Sequence, residues 1–241
     1  MVGAALKAKR NQVVLSTKSH SATRTEALQD LDTSLKELGT DHVDIWYLHG
    51  KSRPEEITDD LIDAQQTAKK AGKIRFAGCS NLSADQLEEA LGVSERRRLL
   101  AFVTCQDRYN LLERGIEKDL VPAMRQGDLG LLPFFPLASG LLTGKYRPDA
   151  PPPQGTRLAG SARHQGVLNE RNWRIVQALR AFAEQRGHTL LELAMSWLAC
   201  RPFVASIIAG ATRPEQIEQN IAAVRWELAP ADLTMIDRIT L

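Results

Sequence analysis

Long hydrophobic runs are missing from this 241-residue chain: no apolar stretch approaches 18 residues, so no membrane-spanning helix is expected. The first ten residues, Met1 to Arg10, lack the apolar core of a secretory signal. Cysteine is scarce and odd in number. Cys79, Cys105 and Cys200 share no C-x-x-C spacing, which argues against a disulfide framework or a zinc site and suits a reducing, cytoplasmic compartment. The 31 basic and 29 acidic residues are interspersed, so the net charge of +2 conceals no basic stripe interleaved with aromatics. Nucleic acid, metal and membrane are therefore not expected among the partners. No G-x-G-x-x-G follows the first expected strand, which weakens the case for a doubly wound dinucleotide-binding sheet. Short-period repeats are absent too.

What is present is an ordinary globular composition, 43% hydrophobic and 25% charged, at a length that α/β barrels reach as one domain. Residues 1–10 read as the last turns of a helix with no N-cap before it. Strand and helix then alternate. Val13–Thr17 is a short β-branched run ending at Lys18, and residues 22–38 carry Ala27, Leu28, Leu31, Leu35 and Leu38 at helical spacing, stopped by Gly39. Val43–His49 is apolar on both faces apart from Asp44, as a parallel strand covered on each side would be. A helix is expected over 57–71 with Thr58 as its cap, a strand over Ile74–Ser80, a helix from Ser83 to Leu91 and a strand over Phe102–Gln106. Then come a helix over 114–126 and a strand over Leu131–Leu137. The Pro-, Gly- and Arg-rich segment 145–168 breaks the rhythm and reads as a lid-like loop. Helices over 169–186 and 189–200, a strand over Val204–Ala209 and helices over 213–225 and 230–239 complete the chain. Six strands alternating with helices mean a parallel sheet, open or closed, and the closed barrel is favoured although six is two short of eight.

In such sheets chemistry gathers at the carboxyl ends of the strands. Lys18, His49, Ser80-Asn81, Gln106, Phe134-Phe135 and Gly210-Ala211-Thr212-Arg213 stand there. Each has a bland reading beside the functional one. Lys18 reads equally as solvated surface, His49 as a structural histidine, Ser80-Asn81 as a turn and cap, Phe134 as core, and Arg213 as a surface residue before a helix proline. Gln106 is less bland, because an amide in a buried strand must find partners. Their joint appearance in this order favours a site.

The chain resembles the aldo-keto reductase family over nearly all its length. VVLSTK (13–18), SLKELGTDHVDIWYLHG (34–50), GKIRFAGCSN (72–81), Gln106 with Tyr109-Asn110-Leu111-Leu112, PFFPLASGLLTGKY (133–146) and IIAGATRPEQIEQN (207–220) carry the resemblance. It implies a (β/α)8 barrel, of which 1–241 is the C-terminal three quarters lacking the first two strands, that binds NADP(H) in extended form and reduces a small carbonyl substrate to an alcohol. It further implies Lys18 and His49 as the active-site lysine and histidine. Ser80, Asn81 and Gln106 would hold the nicotinamide carboxamide, and Phe134 would stack on the nicotinamide. Phe135 replaces a frequent serine. Leu137, Ser139, Leu141 and Lys145 would lie against the pyrophosphate. Gly210, Thr212, Arg213, Gln216, Gln219 and Asn220 would take the adenosine and its 2′-phosphate, with Arg213 favouring NADP over NAD.

The resemblance also implies an Asp and a Tyr ahead of the lysine strand, with two further strands. Only a dozen residues precede Val13, and neither residue stands among them. Three explanations stay open: a start assigned to an internal Met, a fragment or pseudogene product, or a shortened protein acting as a cofactor-binding pseudoenzyme. Oligomeric state is not readable from the residues.

Overall fold

The computed structural model describes residues 2–49, 59–160 and 165–241. The chain divides into two compact units, one formed by Met1–Asp107 with Ile116–Leu131 and the other by Arg108–Gly115 with Leu132–Leu241.

The first unit is built on a parallel sheet of five strands in sequence order: β1 (Ser16–Ser19), β2 (Val43–His49), β3 (Ile74–Ser80), β4 (Phe102–Gln106) and β5 (Gly130–Leu131). Parallel neighbours need crossovers, and these are α2 (Arg24–Leu38), α3 (Asp59–Lys70), α4 (Ala84–Arg97) and α5 (Leu120–Gln126), after a short α1 (Val2–Leu6). Helix α2 starts where the Thr23 side chain accepts the Glu26 amide, and buries Ala27, Leu31 and Leu35 at fourfold spacing. It stops at Gly39, whose φ of 65° closes the last turn. Helix α4 opens with a reciprocal capping box between Ser83 and Gln86. In strand β2, Val43, Trp46, Tyr47 and Leu48 are all buried. Two polar anchors set its position. Gln65 of α3, fully buried, donates through Nε2 to the carbonyls of Trp46 (2.9 Å) and Gly78 (3.2 Å), tying helix to strands. Asp44 accepts from Leu15 N at 2.8 Å and pairs with Arg10 (2.9 Å) and Arg75 (3.0 Å).

In the second unit, α7 (Glu170–Glu184) and α8 (Leu190–Ala199) follow the four-residue α6 (Arg157–Gly160), and α9 (Pro214–Ala222) and α10 (Pro230–Thr240) close the chain. Its core contains Tyr109, Leu111, Leu179, Leu193 and Trp197. Arg114 holds α10 through Asp237 and the Thr240 hydroxyl, both at 2.7 Å.

Several elements differ from the expectations. β1 begins three residues later than Val13, and Val14 is 75% exposed. The N-terminal helix is short and passes to a 3-10 turn at Arg10–Gln12. α4 runs six residues beyond Leu91, ending at Arg97, and the 114–126 helix splits into a 3-10 turn, Gly115–Glu117, and α5. Thr58, expected as a cap, lies outside the described residues. The expected strand Leu131–Leu137 is reduced to Gly130–Leu131, with Phe134 making only isolated bridges to Arg108 and Ile208. Pro133 and Pro136 offer no N–H and cannot sustain a ladder. The expected strand Val204–Ala209 is reduced to bridge positions at Val204 and Ile208, with Ile208 N donating to the Pro133 carbonyl at 3.0 Å. The six-strand reading is therefore corrected: the ladder has five strands, and the sheet is not closed into a barrel among the described residues.

Candidate functional site

In the first unit the parallel register aligns the carboxyl ends. His49 is the partner of Ser80, and Ser80 the partner of Gln106, so three polar residues end three adjacent strands in one row. Lys18, paired with Tyr47, sits near the end of the neighbouring β1. Ser80 is fully buried and donates to the Gln106 carbonyl at 2.7 Å. Asn81 follows at φ 60°, a left-handed conformation that asparagine tolerates better than most side chains. Its Nδ2 lies 3.0 Å from Ser80 Oγ and 3.3 Å from His49 Nε2, which can accept when unprotonated. The His20 ring lies against the His49 ring, centroids 4.0 Å apart. The structure thus brings Lys18, His49, Ser80, Asn81 and Gln106 to one edge of the sheet.

Two further groups there escaped the sequence reading. Asp107, directly after Gln106, is only 7% exposed and its carboxylate lies 2.9 Å from the Cys105 thiol. Burial pushes the carboxyl up to about 6, against the opposing pull of the Cys105 thiol, the Asn81 backbone amide and the Lys18 charge. Burial also pulls the Lys18 ammonium down from its usual range, and Asp107 opposes that pull. The available signal was position: a carboxylate one residue past a buried strand end. Beneath the edge, burial raises the Tyr47 phenol, whose hydroxyl is near Thr104 and Gln106 without meeting hydrogen-bond geometry with either.

In the second unit Asn110 organises the loop that carries Phe134. Its Oδ1 accepts the amides of Leu112 and Glu113, and its Nδ2 donates to the Phe135 carbonyl at 3.0 Å. Past Phe134 the backbone turns left-handed at Phe135, Ala138, Ser139, Gly140 and Gly144. Leu137 precedes the 3-10 stretch Ala138–Thr143; Leu141 is fully buried; Lys145 is exposed. Gly210, Thr212, Arg213 and Gln219 are exposed. Thr212 donates its N–H (2.7 Å) and hydroxyl (3.2 Å) to Gln216 Oε1. Arg213 is the N-cap of α9 without a side-chain cap bond, and Pro214 follows in the first turn. Asn220 is half-buried and lines an apolar cavity of about 420 Å³ with Met195, Ile207, Ile217, Ile221 and Val224. Arg157, hidden from sequence reasoning inside the loop 145–168, is 5.7 Å over the Phe135 ring. Its guanidinium lies where a Cβ at Gly210 would be 3.6 Å from it. An open helix N-terminus and the cations Lys145, Arg157 and Arg213 are groups that suit a phosphate-bearing ligand. Among the described residues no group of His, Cys, Asp and Glu is placed to hold a metal, and no helix is long and apolar enough to cross a membrane.

The aldo/keto reductase family matches residues 1–240, across both units, and the chain belongs to that family. It is similar to L-glyceraldehyde 3-phosphate reductase of Escherichia coli (strain K12), 30% identical over 95% of this chain and 70% of the relative. It is also similar to a probable voltage-gated potassium channel subunit beta of Arabidopsis thaliana, 33% identical over 90% of this chain and 69% of the relative. Protein tas of Escherichia coli (strain K12) is 32% identical over 89% and 65%. The chain thus spans about two thirds of the length of these relatives.

Proposed function

We propose that this chain is the cofactor-binding and lysine–histidine portion of an NADP(H)-dependent reductase of aldehydes or ketones, acting in the cytoplasm as one domain over 1–241. The observation that carries this reading is the row at the strand ends: His49, Ser80 and Gln106 in register, with Asn81 reaching His49. Ser80, Asn81 and Gln106 present hydroxyl and amide groups suited to a carboxamide, and Phe134 presents a ring face suited to a nicotinamide. In the second unit the backbone at Leu137, Ser139 and Leu141, together with Lys145 and Arg157, suits a pyrophosphate. There Gly210, Thr212, Arg213, Gln216, Gln219 and Asn220 are assigned to the adenosine end, and Arg213 supplies a fixed charge for a 2′-phosphate. When bound, NADPH supplies the hydride. His49 orients the carbonyl oxygen, and Lys18 supplies positive charge beside the developing alkoxide.

A second reading, a non-catalytic NADP-binding regulatory subunit, is favoured by the similarity to a protein named as a channel β subunit. One purified sample addresses both. The 241-residue chain is expected to melt higher with NADPH. No shift at saturating NADPH would overturn both readings. NADPH-dependent turnover that His49→Ala abolishes would reject the regulatory one.

A further inference from the structure

Resting on the reading of His49 as the site histidine, we propose that His20 is a positioning residue of this site. Its ring packs on the His49 imidazole and, with Asn81, fixes that imidazole in one orientation and one tautomer. β1 ends at Ser19, whose register partner is Leu48, and the next residues on the two strands are His20 and His49. Their ring centroids are 4.0 Å apart with the planes inclined by 35°, too close for an edge-on meeting. His20 is exposed and His49 half-buried, so the outer ring covers part of the inner one. β3 lies on the other side of β2 and brings Asn81 just past its end, with Nδ2 3.3 Å from His49 Nε2. His49 is thus held from both neighbouring strands.

A chain of hydrogen bonds settles which ring nitrogen carries the proton. Ser80 donates its hydroxyl proton to the Gln106 carbonyl at 2.7 Å, so its oxygen is left to accept. Asn81 Nδ2, 3.0 Å away, donates to it, which sets the amide with its nitrogen rather than its oxygen on this side. The second N–H of that amide meets His49 Nε2, which must therefore accept, and the ring proton sits on Nδ1. In a free histidine side chain the Nε2–H form predominates, so the Nδ1–H form marks a ring that is held. The 3.3 Å contact is long for a hydrogen bond, and the imidazole torsion it acts on has broad wells. A contact on the ring face narrows that torsion, and His20 supplies it.

The test is 15N nuclear magnetic resonance of the histidine rings in the 241-residue chain without NADPH, with His20 and His49 assigned through the backbone. It is run at about pH 8.5, well above the ordinary histidine midpoint of about 6.5, so that tautomers rather than charge states are compared. In the wild type, cross-relaxation between the His20 and His49 ring protons is expected, with His49 mainly in the Nδ1–H form. Absence of that ring-to-ring signal, or a His49 mainly in the Nε2–H form, would overturn the proposal, and this arm needs no substitution. In His20→Ala the ratio of Nδ1–H to Nε2–H at His49 is expected to fall about two- to tenfold, the weight of one aromatic pair. His20→Phe keeps a ring face and is expected to restore the ratio. An unchanged ratio in His20→Ala, even with a lowered melting temperature, is what a merely structural His20 would give and would overturn the proposal. A ratio that falls equally in both variants would overturn it too, since the stack would then not be what holds the ring. The NADPH melting shift is read on the same wild-type sample. Its absence counts against the cofactor reading alone, because the ring tautomers are measured without NADPH.

Discussion

Removing the Asp44 carboxylate measures how firmly the strand that ends in His49 is anchored. Asp44 lies inside β2, is 5% exposed, and its oxygens are shared among Leu15 N, Arg10 and Arg75. Asp44→Ala leaves the buried Leu15 amide without this acceptor and the nearly buried Arg10 without its carboxylate. A hydrogen bond to a charged group is worth about 1.5–3 kcal/mol, and a buried donor left unsatisfied costs about 1–3 kcal/mol. Arg75 is 57% exposed, so its share is at the surface value of about 0–1 kcal/mol. The expected loss is about 3–4 kcal/mol, below the sum because Arg10 can re-solvate and because it keeps the Val13 and His42 carbonyls. At about 2–4 °C per kcal/mol for a chain of this size, the melting temperature falls by about 6–16 °C. Asp44→Asn retains an acceptor for Leu15 and is expected to lose about half as much. Urea denaturation followed by far-ultraviolet circular dichroism gives the number. The pH sign is fixed as well. Burial pulls the Asp44 carboxyl up, but the Leu15 amide and the two arginines outweigh it and leave it below its usual value. Its stabilisation is therefore present above about pH 4 and is lost as pH falls through the folded midpoint. A loss under about 1 kcal/mol for Asp44→Ala, or equal losses for Ala and Asn, would refute the reasoning.

Two further outcomes are expected. Gly78→Ala places a methyl 2.5 Å from Tyr47 Cε1, and that ring is fully buried, so overpacking should cost about 1–3 kcal/mol. Tyr47→Leu in the same chain should recover part of it, and a denaturant midpoint unchanged by Gly78→Ala would show that the ring yields freely. Asp107 gives the opposite pH dependence to Asp44. Its folded midpoint, about 6, lies above the ordinary 3.8, so its contribution is fully present below about pH 4 and is lost as pH rises through 6, for a total of about 3 kcal/mol. Relative to Asp107→Asn, the wild type should lose most of that between pH 4.5 and 7.5; a constant difference between the two would contradict the buried carboxylate.

The strands that read most clearly in the sequence are those with uninterrupted β-rich runs and a clean stop. Val43–His49, Ile74–Ser80 and Phe102–Gln106 appear in the structure with those bounds. Helix caps at Ser83 and the stop at Gly39 were equally legible, because the residue that forms them is local to the element. Leu131–Leu137 and Val204–Ala209 were not. Their composition suits a strand, but a strand exists only where a neighbour supplies N–H and C=O in register, and the prolines withhold part of it. Arg157 was illegible for a similar reason: its relation to Phe135 and Gly210 joins positions far apart in the chain.

From the sequence alone came the alternation of parallel strands and helices, and the candidacy of Lys18, His49, Ser80, Asn81 and Gln106, because β-propensity, helical spacing and strand-end position are local properties. Only the tertiary structure decided the register that lines up His49, Ser80 and Gln106, and that Asp107 is buried beside Cys105 within the field of Lys18. Burial and electrostatic pairing depend on which strands become neighbours, and no single stretch of residues carries that information.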